Sequence, residues 1–164
     1  MIEVWAHSDL PETLGLKIIG TIDVSTFSNA AKEMISSGIL TIHTNISANE
    51  LRDLVEGSIG TIFYSYGEGW GQPLAESLCC GKKVVCNDLE VFHEVLGEWG
   101  LFFPTNSPEM VIPQLQKLFE DKEKNRNQAD QIKNFAKRYM AEGVGKSWQE
   151  VLDNLVNNYL SENL

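Results

Sequence analysis

Tyr64-Ser-Tyr-Gly-Glu-Gly-Trp-Gly-Gln-Pro-Leu-Ala-Glu-Ser-Leu-Cys-Cys-Gly81 is the stretch that decides the fold. An apolar, strand-like run from Ile59 to Tyr64 enters a turn with glycines at 67, 69 and 71. Pro73 then opens a short helix and Gly81 stands just past its end, the usual places for proline and glycine around a helix. Strand, glycine turn and helix start together make a site for an anion, because the first N–H groups of a helix lack internal partners and point outward. Gly67, Gly69 and Gly71 permit backbone angles closed to other residues and let a ligand approach the main chain. Glu68 precedes the helix and Glu76 lies one turn inside it. Carboxylates so placed suit sugar or ribose hydroxyls better than a phosphate. A plainer reading is equally open for the pair alone: Glu68 a solvated loop residue, Glu76 a partner of the helix dipole.

Outward from that segment, strand and helix alternate. Ile2 to Ala6, Leu16 to Gly20, Ile39 to His43, Lys83 to Cys86 and Leu101 to Phe103 read as short strands. Ser25 to Ser36 reads as a helix, with Phe27, Ala30, Ala31, Met34 and Ile35 at helical spacing. Ser47-Ala-Asn-Glu50 is a capping box ahead of Leu51, Leu54 and Val55. Asn87 or Asp88 caps a helix running through Leu96, and Ser107-Pro108-Glu109 starts another, in which Pro113 is an irregularity. From about Asp121 the chain is polar and helical, with Ile132, Phe135, Ala136 and Tyr139 on one face. Trp148, Val151, Leu152, Leu155, Val156 and Tyr159 form another face. The pattern predicts an α/β fold, a Rossmann-like parallel sheet with helices on both faces, whose ligands bind at the carboxyl ends of the strands. The expected organisation is a single domain over 1–164, including a helical tail from about 121.

Composition narrows the partners. A net charge of −10 argues against a nucleic-acid backbone or an anionic membrane surface, both of which reward clusters of Lys and Arg. No apolar run approaches the roughly 20 residues of a membrane-spanning helix, and the N-terminus lacks the basic and apolar regions of a secretory signal, so a cytoplasmic location without membrane insertion is expected. Cys79, Cys80 and Cys86 lack zinc or redox spacing and read as buried, reduced thiols. His7, His43 and His93 show no ligand spacing. Trp5, Trp70, Trp99 and Trp148 are expected mostly in the core. Lys82 and Lys83 leave from the negative end of the short helix, a poor place to meet a phosphate held at its start.

Taken whole, Glu68-Gly-Trp-Gly-Gln-Pro-Leu-Ala-Glu76 followed by Ser-Leu-Cys-Cys-Gly81-Lys-Lys-Val-Val resembles the signature of the GT-B retaining glycosyltransferases of family four, whose hallmark is a glutamate pair separated by seven residues. Asn45 to Leu54, Asp88 to Val95 and Gly100 to Pro104 resemble the flanking segments, so the likeness runs from about Gly38 to Leu118. The resemblance implies a C-terminal donor-binding domain. In that reading Glu68 is the catalytic-site carboxylate on the hydroxyls of the transferred sugar, and Glu76 holds the ribose. Backbone amides of Trp70 to Leu74 meet the sugar and the diphosphate, which makes Gly69, Trp70, Gly71, Gln72, Pro73 and Leu74 the donor-binding run. Tyr66 or Ser65 lines the floor, and Thr44 and Asn45 receive the base. A nucleoside diphosphate sugar is then the donor substrate, with no cofactor and no metal.

The resemblance is incomplete. The family's Gly-Arg and following Lys, which neutralise the diphosphate, have no counterpart; Gly20-Thr-Ile-Asp23 is the nearest segment and lacks the charge. The family also uses an N-terminal acceptor-binding domain, expected here in the same or another chain, so that the chain reads as a truncated enzyme, a split subunit or a degenerate relative, inactive alone. The alternative is a catalytically inactive nucleotide-sugar-binding or partner-docking module. A sugar-nucleotide epimerase would need a His and Arg set that is not displayed, and the glycine spacing departs from that of dinucleotide enzymes.

Overall fold

The computed structural model describes residues 1–10 and 14–163, with side chains to residue 154. It is built of five short parallel strands and nine α-helices among those residues. The strands are β1 (Leu16–Ile19), β2 (Leu40–His43), β3 (Thr61–Phe63), β4 (Val84–Asn87) and β5 (Gly100–Phe103). Helices α1 (Ile2–Ala6), α2 (Asn29–Ser36), α3 (Ala48–Glu56), α4 (Gln72–Cys79), α5 (Glu90–Leu96) and α6 (Val111–Glu120) alternate with them. Helices α7 (Lys122–Asn127), α8 (Ala129–Ala136) and α9 (Ala141–Asn163) complete the chain.

The predicted parallel α/β architecture is present, but its ladder is in two pieces. β1 pairs with β2, and β3, β4 and β5 pair in that order, all parallel. β4 is central and every one of its residues is buried, whereas the three residues of β3 are only half-buried. That contrast is what the position of a strand in its sheet produces: a central parallel strand is covered on both faces, and an edge strand is not.

Local signals set most helix ends. Ser47 and Glu50 form the full capping box of α3. Ser28 caps α2 by accepting from the Ala31 N–H at 3.2 Å, so this helix is shorter than the sequence suggests and a 3-10 turn at Val24–Thr26 precedes it. Gly81, at φ 72°, closes α4, with its N–H donating to the Leu78 carbonyl and the Lys82 N–H to Ser77. Pro113 disturbs nothing, because it lies in the first turn of α6, where its missing N–H has no intrahelical partner to lose.

Two readings of the sequence are corrected. Ile2 to Ala6 is a helix and not a strand: an apolar run this short fits either state, and tertiary contacts choose. Trp5 is buried there, and the Glu3 carboxylate accepts from the Ser28 N–H at 3.0 Å, joining α1 to the start of α2. Neither Asn87 nor Asp88 caps α5. Leu89 stands at that position without a side-chain cap, and Asn87 belongs to β4.

The tryptophans divide. Trp5 and Trp99 are core residues, while Trp70 and Trp148 are 40% and 64% exposed. Of the thiols only Cys86 is buried, and burial pushes it up to about 12; Cys79 and Cys80 are half-buried. Trp148, Val151 and Leu152 of α9 are exposed, and Leu155, Val156 and Tyr159 lie outside the residues whose side chains are described.

Candidate functional site

The site forms where β3, β4 and β5 end. Past Phe63 the chain leaves the sheet through Tyr64 and Ser65, crosses the glycine turn and enters α4 at Gln72. Gly71 occupies the N-cap position at φ 87°, in the left-handed region. A β-carbon there would come within 2.8 Å of Leu74 Cδ1 and 3.3 Å of Phe92 Cε1, so both conformation and space call for glycine. Gly67 and Gly69 face open space and lie in ordinary backbone regions; they leave the turn bare without being forced by its shape.

The backbone donors expected at the helix start are only partly available. The Leu74 N–H is occupied by the Gly71 carbonyl at 3.0 Å, and the Leu74 side chain is buried in the core. Pro73 has no N–H. The N–H groups of Gly69, Trp70, Gly71 and Gln72 have no protein partner among the described residues, and these four are the donors left at the turn; Gly69, Trp70 and Gln72 are exposed and Gly71 is buried.

Glu68 and Glu76 are both exposed beside those donors. Gln72 Nε2 donates to Glu76 Oε1 at 2.7 Å, a pairing one helical turn apart that holds one carboxylate oxygen and leaves the other free to accept. Glu68 has no partner among the described residues. Tyr66 is 85% exposed, touching the rest of the protein through an edge-on contact with Tyr64 at 5.3 Å, so it forms a projection and not a pocket floor. Ser65 is held in place by its own bonds, its hydroxyl donating to the Gly67 carbonyl at 3.0 Å. Thr44 and Asn45 lie past the end of β2, in the other sheet; Asn45 adopts φ 54°. No hydrogen bond or ring contact joins them to the glycine turn among the described residues.

Two features of the site were not legible in the sequence. Asn87, the last residue of β4, is completely buried. Its Oδ1 accepts from the Ser65 N–H at 3.0 Å, and its Nδ2 donates to the Ser65 carbonyl at 2.8 Å and to Thr105 Oγ1 at 3.0 Å. The side-chain amide thus adds a rung to the β3–β4 ladder at the point where the chain turns toward Glu68. Thr105 in turn donates to the Asp88 carbonyl at 3.0 Å, and Tyr64 Oη donates to the Thr105 carbonyl at 3.0 Å. The neighbouring Tyr66 phenol, and after it burial, push the Tyr64 phenol up. A polar residue closing an otherwise apolar strand was the only available signal.

The second feature is Tyr139, in the 3-10 turn after α8. Its ring meets Trp70 edge-on at 5.4 Å between centroids, and its hydroxyl donates to the Val95 carbonyl at 2.7 Å. Arg138 beside it stacks on Phe135 at 3.8 Å and donates to the Glu94 carbonyl at 3.0 Å. The tail is thereby fastened to α5 and supports the glycine turn from the side. Tyr139→Ala is expected to cost about 2 kcal/mol in urea unfolding, and Tyr139→Phe, which keeps the ring contact and loses the hydroxyl's bonds to Val95 and from Arg138, about 1 kcal/mol. Equal losses in the two variants would mean that the ring contact contributes nothing.

The unpaired N–H groups of the glycine turn and the two exposed carboxylates thus lie together past the carboxyl end of β3, where parallel α/β sheets generally bind their ligands. The family model of the group 1 glycosyl transferases matches residues 1–136, and the chain belongs to that family. The match takes in α1, β1 and α2, beyond the segment whose motifs were legible. A glycosyltransferase of Methanocaldococcus jannaschii, named as uncharacterized, is 28% identical over 161 residues, covering 93% of this chain and 41% of the relative. The O-antigen chain mannosyltransferase B of Escherichia coli is 28% identical over 60% of this chain and 24% of its own length. The O-antigen chain mannosyltransferase RfbU of Salmonella typhimurium is 28% identical over 71% of this chain and 30% of its own. The chain therefore spans less than half the length of these relatives. Among the described residues no helix is long and apolar enough to cross a membrane.

Proposed function

We propose that this chain is the donor-binding part of a retaining glycosyltransferase that moves a hexosyl group from a nucleoside diphosphate sugar to an acceptor hydroxyl. The observation that carries the reading is the conjunction of the four unpaired N–H groups at Gly69 to Gln72 with exposed Glu68 and Glu76 on either side. The diphosphate takes the N–H groups at the positive end of α4, and Glu68 and the free oxygen of Glu76 accept from sugar and ribose hydroxyls. Such fixed donors stabilise charge as it develops on the departing diphosphate, which is where positioned amides act most strongly. The two mannosyltransferase relatives make mannose the first sugar to try.

The acceptor and the missing cations belong to residues outside this chain, in a longer polypeptide or in a partner. The free edges of β1 and β3 support that view. The same edges support the second reading, in which the module docks on a partner and binds donor without turning it over.

Calorimetric titration with UDP, GDP and ADP tests the proposal. One nucleotide is expected to bind saturably, and Glu76→Ala to weaken it by about tenfold to a hundredfold, the loss of hydrogen bonds to a charged acceptor. Unchanged affinity in Glu76→Ala would remove Glu76 from the site, and absence of binding by a folded sample would transfer the donor site to the complete assembly.

A further inference from the structure

A basic feature lies at the other end of the larger sheet, away from the glutamates. A recess of about 110 Å³ opens where β3 and β4 begin, lined by Ser58 before β3, Lys82 and Lys83 before β4, and Lys122 and Arg126 of α7. Four of the 13 cationic side chains of a chain with net charge −10 converge on it. The end of α4 does not account for Lys82 and Lys83, because that helix closes through the backbone N–H groups of Gly81 and Lys82.

The charges are incompletely answered. Lys82 Nζ donates to the Ser58 carbonyl at 2.8 Å, which leaves two of its three N–H groups. Arg126 makes an exposed pair with Glu123 at 3.0 Å, a contact worth little. Lys122 sits over the Phe119 ring at 4.4 Å and Lys83 over Trp99 at 5.7 Å. Among the described residues no carboxylate lies within ion-pair distance of Lys82, Lys83 or Lys122. Burial first, and then neighbouring Lys133 and Arg126, hold the Lys82 ammonium below its ordinary range against the opposing pull of Cys80 and Glu56; Lys83 is lowered by burial and by Lys124 and Lys117, against Asp121 and Glu98. Like charges crowded into a partly desolvated recess are relieved by a bound anion.

We propose that this recess binds a small phosphate-bearing anion through Lys82, Lys83, Lys122 and Arg126, at a site separate from the glycine turn. The enclosed volume suits a free phosphate or a compact phosphate monoester. The site does not depend on the donor reading, since no residue is shared.

The test is a titration of isotope-labelled protein with inorganic phosphate and, in parallel, glycerol phosphate, following amide resonances at constant ionic strength. Saturable shifts are expected at Ser58, Lys82, Lys83 and Asn125, with a dissociation constant of about 1 mM. The double variant Lys82→Gln/Arg126→Gln is expected to weaken binding at least about tenfold, and Glu76→Ala to leave it unchanged. If the double variant fails to fold, Lys122→Gln replaces it, with about a threefold loss expected. Tighter binding of glycerol phosphate would identify an ester as the ligand, and equal binding the phosphate group alone. Shifts that grow linearly without saturating, shifts confined to Gly69 to Gln72, or equal binding by wild type and variants would overturn the proposal.

Discussion

Asn87→Leu is expected to lower the unfolding free energy by about 2–4 kcal/mol in chemical denaturation. Leucine has nearly the shape of asparagine and creates no cavity, so the loss isolates the hydrogen bonds. Without the amide, the Ser65 N–H and carbonyl lose their partners beside an apolar strand, and an orphaned buried polar group costs about 1–3 kcal/mol. Ser65 is half-buried, so water recovers part of that loss, which is why the lower half of the range is as admissible as the upper. Thr105→Ala, which removes the two hydrogen bonds of the Thr105 hydroxyl, is expected to cost about 1–2 kcal/mol. The effect reaches function because Ser65 starts the turn that carries Glu68: nucleotide affinity is expected to fall in Asn87→Leu even at temperatures where the protein stays folded. A variant as stable as the wild type, within about 0.5 kcal/mol, would show that the clamp is dispensable.

Phe92→Ala is expected to have the larger effect, about 3–5 kcal/mol, the range for removing a large aromatic from a closed core. Phe92 is fully buried, meets Phe63 edge-on at 5.6 Å, and lies directly beneath the Gly71 position. Its removal opens a cavity under both the end of β3 and the N-cap of α4, the two supports of the glycine turn. A domain of ordinary stability has about 5–15 kcal/mol in total, so the variant is expected to be largely unfolded at moderate urea concentrations. Phe92→Leu, which retains much of the volume, is expected to lose under about half as much. If Phe92→Ala lost less than about 1 kcal/mol, the packing beneath Gly71 would have to be looser than the contacts indicate.

The contrast between these two residues explains what was readable beforehand. Phe92 belongs to the apolar face of a helix, and helical spacing announces such a face within a few residues. Asn87 offered only a local choice between caps, and its partner Ser65 is 22 positions away. The same division runs through the candidate site. The glycine turn, Pro73, Gly81 and the pair Glu68 and Glu76 lie within one short stretch, so the start and stop of α4 and the place of both carboxylates beside it were legible. Leu74 was misplaced as a donor because its N–H is consumed by the capping turn itself, and Tyr66 was misplaced as a floor because its exposure depends on what lies across from it.

By itself the sequence determined the alternation of strands and helices, the capped start of α3, the start and stop of α4, and the motif that ties the chain to its family. Each of these rests on dihedral preferences, caps and periodicity, which act within one or two turns of the chain. Only the tertiary structure decided that Ile2 to Ala6 is helical, that the parallel strands pair as two sheets, that Asn87 clamps Ser65 at the start of the glycine turn, and that Tyr139 steadies Trp70. Those outcomes depend on which distant surfaces meet, and a short apolar run or a single polar side chain carries no record of its partner until the strands have paired and the helices have closed over them.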